Sequence, residues 1–497
     1  MAQNIAEHVI VRGQALTTTD VVAVARYSAK VTLADEAIQR IKAARLVIDQ
    51  LSSADQKVYG VTTGFGHLSK IRIPSEQLTD LQYNLLRSHA AGVGEPFPED
   101  VVRAVMLLLA ASLARGNSGV NLEVVQLLIA MLNAHIYPYI PSRGSLGASG
   151  DLAPLAHLAL TLIGEGEVFA AGQRHPSATV LQRAGLAPIQ LYAKEGLALI
   201  NGTHVMEAIA VLVLNDAEIL LRSAEVACAM SLEGLMGSHV PLDPRIHARR
   251  NQHGQQESAA HLLNLVRDSE INASHQNCKR VQDPYTLRCA PQVIGAVRDA
   301  LTYCRDIFER ELDAVTDNPL VFPEDREVLS GGNFHGQPLA LAMDFLAIAL
   351  TQLASFSERR TYNVLGPHDW EDAETQTPLF LTPLPGLHSG LMIAQYVAAA
   401  LVNEIKVLAH PASVDSIPTS AGMEDFVSMG VTSANKLRQI LEQTQQVIAI
   451  ELLCAAQLLD FRLPLHAGQG VQQAYNIVRA SVPKLEQDRI LAPDIEN

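Results

Sequence analysis

Along most of this chain apolar residues recur at intervals of three and four, the spacing that lines one face of a helix. In residues 34–53 (ADEAIQRIKAARLVIDQLSS), Ile38, Ile41, Ala44, Ile48 and Leu51 form such a stripe. Residues 122–136 (LEVVQLLIAMLNAHI) are apolar on more than one face and predict a buried helix. Two short apolar runs, 8–11 (HVIV) and 319–322 (PLVF), are the candidate strands. Beyond residue 200 the helical pattern lengthens, in 208–236, 289–315, 338–365 and 433–461. Each run is longer than the average globular helix, and several together predict a bundle of long antiparallel helices. The last carries Leu437, Ile440, Leu441, Val447, Ile448, Leu452 and Ala455 along one stripe, suited to packing within or between subunits. A division near residue 200 is expected, with an N-terminal part, 1–200, and a long-helix part, 201–497.

Between the helices lie polar, glycine-rich connectors: VYGVTTGFGHLS (58–69), LLRSHAAGVGE (85–95), LINGTH (199–204), VQDPYTLRC (281–289), LSGGNFHG (329–336) and SVDSIPTSAGMEDFVSMG (413–430). Connectors on a rigid helical scaffold are where functional side chains concentrate.

Composition narrows the classes. The 497 residues are 48% hydrophobic and 18% charged, which describes a folded, apolar-rich chain. A net charge of −15 disfavours nucleic acid and anionic membrane as partners, because phosphate would be repelled. Five cysteines without a C-x-x-C pair give no zinc spacing and point to a reducing, cytoplasmic setting. No basic-then-apolar leader opens the chain, and the longest apolar runs are too interrupted to predict a membrane span. Neither a Walker-type phosphate loop nor a dinucleotide-binding glycine fingerprint occurs.

One stretch stands apart, GSLGASGDLAPL at 144–155. Ser149 or Asp151 could cap a helix beginning near Leu152, with Pro154 tolerated in its first turn. A chemical reading is also open. The amide nitrogen of Gly150 can attack the carbonyl of Ala148 only if the chain bends tightly, and glycine permits that bend. Ser149, between them, can then lose water and leave a conjugated alkene.

GSLGASGDLAPLAHLAL resembles the signature of the ammonia-lyases that carry a 4-methylidene-imidazol-5-one (MIO) group. The six connectors named above also occur in that family's order, so the resemblance runs from residue 58 to 430. It implies a mainly α fold of fumarase/aspartase-like architecture: a long antiparallel helical bundle, and a smaller N-terminal mixed domain carrying the MIO loop. It implies a homotetramer whose active sites form where loops of more than one subunit meet. The MIO group would form by itself from Ala148, Ser149 and Gly150, with no external cofactor and no metal.

The resemblance also implies roles. Tyr59 would be the base over the substrate's β-carbon; its pKa of about 10 needs polar or cationic neighbours to come into range. Arg288 would clamp the substrate carboxylate with its planar fork. Tyr285, three residues before it, would be the second catalytic tyrosine. Gln282 would orient substrate, Asn201 would contact both the MIO group and the substrate carboxylate, and Phe334 would pack beside the group. The pair Ser88-His89 is that of histidine-using members, and Glu424 would hold an imidazole N–H; a phenyl ring would leave such a carboxylate unpaired. The family's histidine enzymes usually read QEDH where this chain has Met423-Glu424-Asp425-Phe426, and often have asparagine where it has His388. The expected activity is therefore elimination of ammonia from the small-molecule substrate L-histidine to give trans-urocanate. Alternatives are a tyrosine or other aromatic amino acid ammonia-lyase, an MIO-dependent 2,3-aminomutase, and an inactive helical scaffold. The GSSxMPxKxN loop of the fumarase/aspartase enzymes is absent.

Overall fold

The computed structural model describes residues 6–53, 63–64, 70, 73–276, 280–366 and 377–497. It is mainly helical, and two compact units are built from interleaved segments: 1–215, 305–344 and 411–435 in the first, and 216–304, 345–410 and 436–497 in the second.

The first unit is mixed, and every strand among the described residues lies in it. The run HVIV forms strand His8–Val11, parallel to Lys30–Leu33. Leu320–Phe322 pairs antiparallel with Glu327–Leu329. Helix Asp35–Ser53 buries Ile41, Ala44 and Ile48, as its stripe predicts, with Ile38 and Leu51 half-buried. Ala44, Val47 and Ile48 belong to a cluster with Leu78, Ala193 and Val321. Burial of each large aliphatic side chain there contributes about 1.5–3 kcal/mol. Helix Glu99–Ala114 is buried on every face from Val101 onward. Its one buried guanidinium, Arg103, donates to Val24 O at 2.9 and 2.6 Å and to the Tyr137 hydroxyl.

Long helices dominate the second unit. The patterned runs correspond to helices His204–Gly234, Ala290–Glu311, Gln337–Leu365 and Gly430–Asp460, whose greater part falls there, together with Met392–Leu408. Their polar core contact is Glu451. It accepts from Arg360 Nε at 2.6 Å and Nη2 at 2.8 Å, from Ser231 Oγ at 2.7 Å and from Ser357 Oγ at 2.6 Å. Three helices are thereby tied at one carboxylate. Helix Gln337–Leu365 holds an 18-residue window apolar enough to cross a bilayer, contrary to the reading that all such runs are interrupted. Of that window 61% is buried within the molecule, as in a core helix.

Candidate active site

The glycine-rich stretch meets its helix differently from the simple capping expectation. Helix Ala153–Leu162 starts after Leu152, whose side chain makes no capping bond. Asp151 is fully buried and turns to another helix: its Oδ2 accepts from Val205 N at 2.6 Å, in the first turn of His204–Gly234. A carboxylate beside orphan N–H groups at a helix start is a favourable arrangement. Burial nevertheless pushes the Asp151 carboxyl up to about 8, against these backbone bonds.

Backbone geometry in the tripeptide is unusual. Ser149 has φ of 52°, Gly150 of 83° and Leu152 of 46°, all left-handed. For a serine and a leucine this conformation costs about 1 kcal/mol or more each, so neighbours must hold it. The neighbour is Gly202. Its carbonyl accepts from Asp151 N at 2.7 Å, its N–H donates to Ser149 O at 3.3 Å, and Gly150 and Gly202 form a parallel bridge. A Cβ on Gly150 would lie 2.1 Å from Gly202 O, so only glycine fits.

Glu424 stands over this bend. Its Oε1 accepts from Ser149 Oγ at 3.4 Å and its Oε2 from Thr419 Oγ1 at 2.8 Å. Thr419 and Glu424 also pair through their backbones, closing a turn whose Ser420, Ala421 and Gly422 all have left-handed φ. His89 ends helix Leu78–His89, half-buried, with Nδ1 2.9 Å from Leu85 O and 3.0 Å from Ser88 Oγ. Burial holds its pKa below the ordinary imidazole range, while the carboxylate of Glu424 acts in the opposite direction. The ring is therefore neutral at pH 7 and able to donate or accept.

Asn201 is buried beside Gly202. Its Nδ2 donates to Asn318 O at 3.1 Å and reaches Asp317 Oδ1 at 3.4 Å, leaving Oδ1 without a partner among the described residues. As oriented, the amide offers a ligand an acceptor. Asp317 is fixed by buried Lys194 at 2.6 Å. Phe334 is half-buried in the turn before helix Gln337–Leu365. Next to it, His335 stacks on Phe426, ring centroids 6.2 Å apart, and its Nε2 is 3.2 Å from Phe426 O. Neither His335 nor the Lys194–Asp317 pair was legible as part of this site, because their partners are more than 90 residues away in sequence.

Gln282, Tyr285 and Arg288 lie in the second unit. Arg280 Nη1 donates to Asp283 Oδ1 at 2.8 Å, and Asp283 Oδ2 accepts from Ser238 N at 2.7 Å, which folds the connector. Pro284 then opens the short helix Tyr285–Arg288. Tyr285 is exposed, and the Arg288 guanidinium carbon lies 4.5 Å from its ring centroid. No carboxylate among the described residues pairs with Arg288, and its Nε is buried without a partner. Arg288 and Gln282 line a cavity of about 770 Å³ together with His239, His275, Arg280 and Gln292. Tyr59 lies outside the described residues. Among those described, no group of three or more His, Cys, Asp or Glu side chains could hold a metal ion.

A helical scaffold presenting a clamped Ala-Ser-Gly bend, left-handed at Ser149 and Gly150, with the Glu424 carboxylate against it defines a class of protein, and comparison with known proteins agrees. The profile of the aromatic amino acid lyase family matches residues 16–480. This chain belongs to that family of carbon–nitrogen lyases. It is 52% identical over 488 residues to a histidine ammonia-lyase of Myxococcus xanthus (strain DK1622), covering 98% of this chain and 95% of the relative. Among solved structures it is similar to histidine ammonia-lyase from Trypanosoma cruzi, with a TM-score of 0.90, 42% identity and coverage of 98% and 92% of the two chains. It is also similar to tyrosine aminomutase from Streptomyces globisporus, with a TM-score of 0.91, 39% identity and coverage of 98% and 95%.

Proposed function

We propose that this protein eliminates ammonia from L-histidine to give trans-urocanate, using an MIO group formed from Ala148, Ser149 and Gly150. The observation that carries the reading is Glu424, held by Thr419 with one oxygen 3.4 Å from Ser149 Oγ. The residues present fit the group: the bend already has left-handed φ at Ser149 and Gly150, and a side chain on Gly150 would collide with Gly202. When formed, the group supplies an electron-poor alkene that converts the substrate amine into a leaving group.

The protein's own residues would do the rest. Arg288 binds the substrate carboxylate; its Nε has no partner among the described residues, which supports this role. Glu424 accepts from an imidazole N–H and His89 flanks it, both near the tripeptide. Gln282 and Asn201 orient the amino acid, and Phe334 packs at the group's side. Tyr59 takes the β-proton, with Tyr285 as the second tyrosine. We further propose a homotetramer with shared sites.

The test is an ultraviolet assay of the purified protein with L-histidine, L-tyrosine and L-phenylalanine separately. Urocanate from histidine alone is the expected result. Coumarate instead would mean that the apolar wall at Phe426 outweighs Glu424 and His89 in choosing the ring. Ser149→Ala should lower activity by ~10³-fold or more; ordinary turnover in that variant would end the electrophile assignment.

A further inference from the structure

The clamp on the tripeptide has a second layer that the reaction scheme does not use. Gly202 holds Ser149 and Asp151, and Thr203 follows it directly. Thr203 N donates to Thr316 Oγ1 at 3.2 Å. Thr203 Oγ1 donates to Glu311 Oε1 at 2.6 Å and is 3.4 Å from Thr316 Oγ1. Gly202 itself has φ of 115°, and a Cβ there would meet Thr316 Oγ1 at 2.6 Å. The peptide of Gly202 is thus pressed between the tripeptide on one side and Thr316 on the other, with Glu311 anchoring the threonine beside it. Glu311 is the last residue of helix Ala290–Glu311, so the anchor stands on a long rigid element.

Ring closure asks something definite of that peptide. Gly150 N bonds to the Ala148 carbonyl carbon. The Ala148 oxygen leaves as water, with the hydrogens of Gly150 N and Ser149 N. Ser149 then loses its Cα hydrogen and its Oγ hydroxyl as a second water. Nothing is oxidised or reduced, and no co-reactant is needed. As the Cα proton departs, negative charge develops on Ser149 O. The Gly202 N–H, 3.3 Å away, is the donor aimed at that oxygen. A pre-aimed backbone donor of this kind accelerates a step by orders of magnitude only while its direction is fixed.

We propose that Glu311 and Thr203 are positioning residues for self-cyclisation: through the bond Thr203 Oγ1 to Glu311 they hold the Gly202 peptide so that its N–H meets the charge on Ser149 O. This rests on the electrophile reading above. It is consistent with the charges nearby. Burial raises the carboxyls of Glu311 and of neighbouring Glu207, and the Thr203 hydroxyl opposes that rise at Glu311. Losing this hydroxyl would leave Glu311 without the bond that fixes Thr203.

The test follows the chain as it matures. The full-length protein is made by cell-free translation and sampled over time, and chains of the parent's hydrodynamic size are digested with trypsin. The peptide 144–174 is then weighed for the loss of two waters. Thr203→Val should slow appearance of the lighter peptide about tenfold or more. Thr203→Ser, which keeps the hydroxyl, should restore the parent rate to within about twofold. Glu311→Leu, which removes the acceptor, should also slow closure and add little on top of Thr203→Val, since both break one bond. Closure at the parent rate in Thr203→Val and Glu311→Leu overturns the proposal while leaving the electrophile reading intact. If Thr203→Val does not reach the parent's size, parent-rate closure in Glu311→Leu alone overturns it. A parent peptide that never loses two waters defeats the electrophile reading, and this proposal with it.

Discussion

His204 is fully buried, and neither ring nitrogen has a partner among the described residues. Burial pushes its pKa down to about 4, with Asp317 opposing. Unfolded, the imidazole takes a proton near its ordinary value of about 6.5. Between those values the unfolded chain binds more protons than the folded one, so stability rises with pH across this window and is lost as pH falls from about 6.5 to about 4. The contribution is on the order of 3 kcal/mol. Asp151, raised to about 8, has the opposite sign: the folded chain holds its proton longer, and stability falls as pH rises toward that value. His204→Leu should therefore flatten the acid limb. Melting temperatures at pH 6.5 and 4.5 should differ less in the variant than in the parent; an unchanged slope would show that His204 finds a proton partner when folded.

At the scale of elements, the long helices depend on one another through Glu451. Arg360 and Glu451 are both fully buried, and two serines complete the carboxylate's shell. Removing one partner of such a pair leaves an uncompensated charge, at a cost of about 3–5 kcal/mol. Glu451→Ala should lower the urea midpoint accordingly, whereas replacing Glu451 and Arg360 together by Leu and Met should recover much of the loss. Equal destabilisation by both would mean that packing, and not charge, is what Glu451 supplies. The helices themselves were legible, because apolar spacing is a local property: Leu437, Ile440, Leu441, Val447 and Ile448 are all buried as their stripe predicts. Which side chain caps which helix was not. Asp151 has the residue type and place of a cap for the helix it precedes, yet it caps His204–Gly234, because the fold brings that helix's free N–H groups within 2.6 Å.

For the whole molecule the telling feature is exposed apolar surface on long helices. Leu341, Phe345 and Ile348 line one face of Gln337–Leu365 and are exposed, as are Ile393, Tyr396 and Val397 on Met392–Leu408. Contiguous apolar faces of this sort mark association surfaces. They support the proposed homotetramer. Light scattering coupled to size exclusion should give four times the 53.7 kDa chain mass. A monomer stable at micromolar concentration would remove the shared-site proposal and leave these faces without an explanation. The net charge of −15 fits the same picture, since it keeps such an assembly soluble without adding to its contacts.

The sequence by itself determined the helical class, placed candidate strands at 8–11 and 319–322, and carried the family's motifs in its connectors. Those are matters of local spacing and of residue type, and both are written along the chain. Which groups face one another was decided only by the tertiary structure. Glu424 lies 275 residues from Ser149, and Gly202 lies 52 residues beyond Gly150, yet the bend exists in its left-handed form because these neighbours hold it. The buried supports, Lys194 for Asp317 and Glu311 for Thr203, were invisible for the same reason. A lysine or glutamate in an amphipathic stretch reads as solvated surface. Only its burial against a distant partner, where an unpaired charge would be costly, makes it part of a site.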